Sequence, residues 1–187
     1  MRADRHDTRN VYDSDIAAAT QSRRLPTQGH AMTHDNVAPT RQPLFIAPDQ
    51  RPAPLAFGGL EITVLASDSV TGGNEVFFQS GPEGSGPGSH FHPWDETFYV
   101  TSGEITFGIS GDETIAGPGT LVFAPGGTAH SYRFGTGGGS MITTTSSGNA
   151  SRMYEGFAAE AAKENSDSAR FAEVGLLHGQ HIAAPKN

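Results

Sequence analysis

The sequence predicts an all-β domain, and three observations lead to this prediction. Apolar and polar side chains alternate with a period of two through much of residues 57–145, clusters of turn-forming residues interrupt this alternation, and glycine and proline number 24 and 12 of the 187 residues. Short half-buried strands joined by tight turns produce this pattern, whereas helical bundles and parallel α/β folds do not. We expect eight or nine strands in an antiparallel sandwich or barrel.

The N-terminal residues 1–42 differ from the rest of the chain. They carry six arginines and five aspartates and almost no periodic apolar positions. This composition predicts a disordered tail that lies outside the folded domain. Met32 offers a second start site, so we treat residues 1–31 as a candidate upstream extension.

Two further segments are predicted after the tail. The β-barrel is expected over residues 43–150, and residues 151–187 predict a helical extension that packs on it, because Ala, Glu and Lys become frequent there. A first short helix is expected to open near Tyr154. A second is expected after Asp167 or Ser168, both of which are residue types that cap helix N-termini.

Composition excludes several classes of function. The formal net charge is −8, and outside the tail six basic residues face fifteen acidic ones, a balance that disfavours nucleic-acid binding. No apolar run exceeds four residues, so we expect neither a membrane span nor a signal peptide, and we predict a cytoplasmic protein. The absence of cysteine excludes disulfides, thiol catalysis and cysteine-ligated metals. The glycine-rich residues 84–88 lack the spacing of a phosphate-binding loop.

Three histidines and one glutamate form the pattern that indicates chemistry. His90 and His92 are two residues apart on a predicted strand, so their side chains share a face. Glu96 begins the next strand after a Pro-Trp-Asp turn, and His130 follows a Pro-Gly-Gly turn. A single histidine in a strand is more often a surface or hydrogen-bonded residue, but three neutral imidazoles and a carboxylate together suit a divalent first-row metal.

These residues lie in two segments that resemble the two motifs of the cupin superfamily. Residues 84–103 read GSGPGSHFHPWDETFYVTSG and fit the first motif, G(X)5HXH(X)3,4E(X)6G, at every fixed position. Residues 119–134 read GTLVFAPGGTAHSYRF and are similar to the second, G(X)5PXG(X)2H(X)3N, except that Phe134 stands where the motif has asparagine. Fifteen residues separate the two segments, as in single-domain cupins.

The resemblance implies a fold and a metal site. The fold is the cupin double-stranded β-helix, or jelly-roll barrel, with short C-terminal helices. The implied ligands are His90, His92, Glu96 and His130, holding one divalent ion of Fe, Mn, Ni, Co, Cu or Zn. By strand parity we expect three aromatic side chains to share the cavity with the metal and bind substrate: Phe98, Tyr132 and Phe134. Phe107 and Phe123 are further candidates for substrate binding, and ordinary core packing is the alternative role, expected for most of these residues.

The resemblance also narrows the function. We expect a metal-dependent dioxygenase similar to the quercetinases, in which a small aromatic or enolic substrate meets O2 at the metal and Glu96 acts as the catalytic base. Two alternatives stay open: a non-oxidative metal-dependent cupin such as an isomerase, cyclase or decarboxylase, and a non-catalytic protein that binds a small molecule. Family resemblance further implies a homodimer.

Overall fold

A computed structural model describes residues 41–146 and 149–184, so most of the predicted tail and residues 1–31 lie outside the described ranges. Eleven strands occupy the described residues. They are β1 (Leu55–Phe57), β2 (Leu60–Ala66), β3 (Glu75–Gly81), β4 (His90–Phe91), β5 (Glu96–Ser102), β6 (Ile105–Ile109), β7 (Asp112–Ala116), β8 (Leu121–Ala124), β9 (His130–Phe134), β10 (Gly139–Thr145) and β11 (His181–Ile182). The predicted all-β class is confirmed, and the described residues form eleven strands where eight or nine were expected.

The strands form two antiparallel sheets. The six-stranded sheet has the order β1-β2-β3-β10-β5-β8, and the five-stranded sheet has the order β11-β4-β9-β6-β7. Neighbours that are distant in sequence, such as β3 and β10, pair because the chain crosses repeatedly between the sheets. This topology is the jelly-roll barrel that the resemblance implies.

The core lies between the two sheets and follows the period-two pattern. Along β5, for example, Glu96, Phe98 and Val100 are buried while Tyr99 is exposed. Phe107 of the opposite sheet packs on Phe98 with ring centroids 5.1 Å apart. Apolar side chains from both sheets therefore interdigitate, and the inward positions of each strand are the ones that can form an internal site.

Four short helices complete the described fold. They are a 3-10 helix (Pro48–Gln50), α1 (Asp68–Thr71), α2 (Ala150–Ala161) and α3 (Ser168–Leu177). Asp167 caps α3 by accepting a hydrogen bond from the Arg170 backbone N–H at 3.0 Å, as the sequence predicts. Helix α2 begins four residues before the expected Tyr154. In the described ranges no helix is long and apolar enough to cross a membrane.

Helix α2 is attached to the barrel by an aromatic cluster and by a buried carboxylate. The rings of Tyr154 and Phe157 pack on Phe57 of β1 at 6.0 and 5.3 Å. Glu75 of β3, which is fully buried, accepts hydrogen bonds from the backbone N–H and the hydroxyl of Ser151 in the first turn of α2. A negative charge at a helix N-terminus satisfies otherwise unpaired N–H groups, so Glu75 fixes the start of this helix.

The end of the described chain returns to the barrel. Strand β11 pairs with β4, where His181 is opposite Phe91 and Ile182 is opposite His90. This strand was not predicted from the sequence. It places the segment after α3 beside the histidines of the first motif.

Candidate metal centre

The four predicted ligands meet at one end of the barrel. His90 of β4 lies directly opposite His130, the first residue of β9, in the ladder of the five-stranded sheet. His92 follows β4, and Glu96 is the first residue of β5 in the six-stranded sheet. The site is thus assembled across the gap between the two sheets from strand ends, which is where side chains of both sheets can converge.

The ligand atoms of these residues all lie within 4.8 Å of one another, and all four side chains are buried. Two imidazoles contact the same carboxylate oxygen: His92 Nε2 is 2.8 Å and His130 Nε2 is 3.1 Å from Glu96 Oε2. Three nitrogen donors and one oxygen donor at this spacing can surround a single ion. The grouping predicted from sequence is therefore present as one compact cluster.

Main-chain carbonyls orient the three imidazoles. Each ring donates its Nδ1–H to a carbonyl oxygen two residues away in the chain: His90 to Gly88 at 2.9 Å, His92 to Trp94 at 2.9 Å and His130 to Thr128 at 2.8 Å. This bond turns the Nε2 atom of each ring toward the cluster. Metal-binding histidines are usually oriented by such a bond, so the donor set fits a metal ion.

Burial and neighbouring charges shift the pKa values of three of the candidate ligands. Burial, together with the neighbouring His130, lowers the pKa of His90 to about 4, so its ring is neutral at pH 7. Burial acts to raise the pKa of Glu96, but hydrogen bonds from His130 and His92 outweigh it and bring the pKa to about 2. Burial acts to lower the pKa of His130, and the Glu96 carboxylate reverses this and raises it. The cluster therefore offers one carboxylate and, at His90, one neutral imidazole.

The turn between the ligands is also fixed. The indole of Trp94 stacks on the His92 ring, with centroids 4.2 Å apart and planes 8° apart. The Gly126 backbone N–H donates to Asp95 Oδ1 at 2.9 Å, and a Cβ at Gly126 would come within 2.3 Å of the Pro93 carbonyl oxygen. Gly126 occupies the variable position of the second motif, but this chain needs glycine there because the loop packs directly against the turn of the first motif.

Four of the five predicted aromatic residues point into the barrel. Phe98, Phe107, Tyr132 and Phe134 are all buried. The Phe98 ring lies 6.1 Å from the His130 ring and 5.9 Å from the Tyr132 ring, so the aromatic group begins directly beside a candidate metal ligand. It continues away from the ligands through Phe107 and Phe134.

The structure corrects the placement of Phe123. On β8, Phe123 pairs with Thr97 of β5. Its neighbour Ala124 pairs with Glu96 and is buried. The Phe123 side chain is 52% exposed and lies on the outer face of the sheet, away from the ligands. Residues on opposite sides of a strand cannot line the same cavity, so Phe123 does not line this one.

An apolar groove reaches the cluster from outside the barrel. It has a volume of about 570 Å³ and runs between the C-terminal segment and residues 86–90. Its walls include Phe57, Leu60, Phe157, Phe171 and Ile182, and His90 forms part of its lining. The groove therefore borders one of the candidate ligands, and its apolar lining suits an apolar or aromatic molecule.

Sequence reasoning missed several buried polar side chains, among them two on inner faces of strands and one on helix α2. Gln79, Thr143 and Tyr154 are buried and stand among apolar core residues. Burial and the charge of Glu96 raise the pKa of Tyr154 well above its ordinary value, so its hydroxyl stays protonated. The available signal for Gln79 was its position in the buried register of β3, two residues after Phe77, where an apolar side chain is expected.

Comparisons with known proteins agree with this architecture. Residues 76–143 match the cupin domain family. Quercetin 2,3-dioxygenase of Bacillus subtilis (strain 168) is 35% identical over 72 residues, which is 37% of this chain and 21% of that protein. The match thus spans about a fifth of the relative's length.

Three solved structures share the fold. KdgF from Halomonas sp. superposes with a TM-score of 0.52 at 19% identity over 57% of this chain and 94% of its own. An RmlC-like cupin from Shewanella frigidimarina gives 0.51 at 22% identity, with 57% and 94% covered. The polyketide cyclase RemF from Streptomyces resistomycificus gives 0.51 at 16% identity, with 56% and 80% covered.

Two antiparallel sheets that enclose three histidines and a glutamate define a jelly-roll protein with a candidate metal centre. The matched motifs, the family match and the shared fold lead to one conclusion. The chain contains a cupin domain over residues 76–143.

Proposed function

We propose that the protein is a metal-dependent dioxygenase that acts on a small aromatic or enolic compound. The observation that carries the proposal is that a buried three-histidine, one-glutamate cluster is reached by an apolar groove whose lining includes His90. A flat apolar substrate fits such a groove, while a sugar nucleotide would need cationic side chains for its phosphates. The 35% identity to a quercetin 2,3-dioxygenase over 72 residues supports the same class of reaction.

The residues of the cluster have distinct roles in this proposal. His90, His92, Glu96 and His130 hold a divalent ion, which supplies a Lewis acid for a substrate oxygen when it is bound. Glu96 is ionised at neutral pH and accepts the proton of the substrate enol or phenol. The buried surroundings exclude bulk water, so the deprotonated substrate is protected until it meets O2.

The aromatic residues of the barrel interior are assigned to substrate contact. Phe98, which is 6.1 Å from His130, forms the wall nearest the ligands, and Phe107, Tyr132 and Phe134 continue it. Aromatic side chains stack favourably on a ring-shaped substrate. Phe157 and Phe171, with ring centroids 5.7 Å apart at the groove, are assigned to its entry.

Oxygen consumption tests the proposal. Metal-loaded protein is supplied with a panel of flavonols, catechols and enolic compounds in an oxygen electrode, for each of the six candidate metals in turn. We expect uptake with at least one compound, and we expect Glu96→Gln to abolish it while Glu113→Gln, a matched change at an exposed glutamate, leaves it intact. No uptake with any compound at full metal occupancy would overturn the dioxygenase assignment.

The same experiment separates the two alternatives. Substrate turnover that persists without oxygen would identify a non-oxidative cupin. A small molecule that copurifies and is recovered unchanged would identify a binding protein. The homodimer and the cytoplasmic location expected from the sequence stay predictions, and sedimentation of the purified protein measures the first.

A further inference from the structure

Strand β11 forms one wall of the apolar groove that borders the candidate metal ligands. It is the edge strand of the five-stranded sheet and pairs with β4, where His181 is opposite Phe91 and Ile182 is opposite His90. Residues that are opposite each other in an antiparallel pair have their side chains on the same face of the sheet. Ile182 therefore shares the face of the candidate ligand His90. His181 and Phe91 share the other face, where their rings stack with centroids 5.0 Å apart.

The antiparallel register extends beyond the two residues of β11 on both sides. After the strand, the Ala183 backbone N–H donates to the Ser89 carbonyl oxygen at 3.0 Å. Before the strand, a Cβ placed on Gly179 would lie 3.5 Å from Pro93 Cδ. Both contacts join the residues that the pairing of β11 with β4 predicts for the flanking positions. The C-terminal segment therefore runs alongside the first motif from residue 89 to residue 93.

Continued by one residue from β11, this register places Gln180 opposite His92. The Cβ atoms of opposite residues are about 4.5–5.5 Å apart, so the Gln180 side chain begins beside a candidate ligand. Because side chains alternate along a strand, Gln180 lies on the same face as Ile182. The lining of the groove agrees with this parity, since it includes Gln180 and Ile182 but not His181.

The Gln180 amide is an uncharged polar group at an apolar wall. The described residues that line the groove include no Asp, Glu, Lys or Arg. Gln180 is half-buried, and its side-chain amide has no hydrogen-bond partner among residues 41–146 and 149–184. Its Nε2 atom lies 3.4 Å from the position that a Cβ would take at Gly175 of α3. Ligand pockets are mostly apolar and contain a few polar groups that fix the orientation of the ligand, and the Gln180 amide has this character.

We propose that Gln180 is a specificity-determining residue whose side-chain amide hydrogen-bonds a second, neutral oxygen function of the substrate. This inference rests on the proposed function, because it concerns the same molecule in the same groove. An amide both donates and accepts, so the second oxygen is that of a hydroxyl or a carbonyl group. A carboxylate or a phosphate is disfavoured there, because it would lose water without gaining a cationic partner from the described lining.

Two pairs of phenols of matched size test this inference without turnover. 3-Hydroxybenzyl alcohol and 4-hydroxybenzyl alcohol each carry a second neutral oxygen, and 3-ethylphenol and 4-ethylphenol have a methyl group in its place. Each compound is titrated anaerobically into cobalt-loaded protein, and binding is followed by the visible absorption of the cobalt. The quantity compared is the affinity ratio, which is the affinity of an alcohol divided by that of its ethyl partner.

The change Gln180→Met removes the amide and keeps an unbranched side chain of similar length. We expect it to lower the affinity ratio about fivefold for at least one of the two pairs, the factor that one net hydrogen bond of about 1 kcal/mol provides. The ethyl partner should bind at least as tightly as it binds to wild type, whereas a merely structural role of the amide would weaken both compounds equally. Gln50→Met, the same change at an exposed glutamine, is the matched control and should leave the ratio unchanged.

Nuclear magnetic resonance provides a second readout at the amide itself. In nitrogen-labelled, zinc-loaded protein, the side-chain NH2 signals of Gln180 are identified by their loss in Gln180→Met. They should shift when the preferred alcohol is added and shift much less with its ethyl partner. The same affinity ratios in wild type and Gln180→Met, or NH2 signals that respond alike to both compounds, would overturn this inference alone. Failure of every phenol to bind would overturn the proposed function with it.

Discussion

The single tryptophan provides a direct optical report of metal binding. Trp94 is the only tryptophan of the chain, is 5% exposed and stacks on the His92 ring at 4.2 Å. An ion at His92 Nε2 would therefore stand within a few ångströms of the indole, because metal–imidazole bonds are about 2 Å long. We predict that titrating metal-free protein with Co²⁺, Ni²⁺ or Cu²⁺ quenches the fluorescence of Trp94 and saturates at one ion per chain.

The change Glu96→Gln tests whether quenching comes from the candidate site. Glu96 supplies the only carboxylate of the four-residue cluster, and its oxygen accepts hydrogen bonds from two of the three imidazoles. Loss of partners that merely orient metal ligands costs about 10- to 100-fold in affinity, so loss of the charged ligand itself should cost at least about 100-fold. The amide has nearly the same shape, so the barrel should still fold.

The assay compares apparent dissociation constants from fluorescence titrations of three proteins. Wild-type protein and Glu113→Gln, an exposed change of the same kind, should give the same dissociation constant. Glu96→Gln should raise this constant at least about 100-fold. Circular dichroism shows that all three are folded. A Glu96→Gln constant within about threefold of wild type would refute the assignment of Glu96 as a ligand, and an unquenched wild type would refute the site.

Three further predictions address attachment, access and pH. Glu75→Ala should lower the free energy of unfolding, measured in urea, by about 2–4 kcal/mol, because buried donors at the start of α2 lose their acceptor. Phe171→Ala should raise KM for an aromatic substrate several-fold with kcat unchanged, whereas Leu177→Ala, on an exposed position of the same helix, should change neither. Metal affinity, measured by Trp94 quenching, should fall as pH drops below the raised pKa of His130, because the proton competes with the metal for that nitrogen.

The sequence was sufficient to predict that the four residues form one cluster because their placement depends on local rules. The parity of a strand places His90 and His92 on one face, and the fixed turn positions of two motifs place Glu96 and His130 beside them. The all-β class followed from the same period of two. Strand parity depends only on residues that are close in sequence, and the positions of Glu96 and His130 depend on a motif spacing that the family shares.

The predictions that failed or were missing depend on contacts between distant parts of the chain. The inward face of β8 cannot be assigned from the sequence because both faces of this strand carry apolar residues. The sequence therefore offers Phe123 as a cavity residue, whereas the structure has Ala124 as the inward residue. Helix α2 begins at Ala150 rather than near Tyr154 because its first turn is stabilised by Glu75, 76 residues from Ser151.

The proposed metal centre requires one ion among the four predicted ligands. Anomalous X-ray diffraction from crystals of metal-loaded protein, recorded on both sides of the absorption edge, measures this. We predict a single strong peak about 2.0–2.3 Å from the Nε2 atoms of His90, His92 and His130 and from a carboxylate oxygen of Glu96. A peak at other residues, or no peak while the hydrogen bonds from His92 and His130 to Glu96 persist, would contradict the assignment of the metal centre.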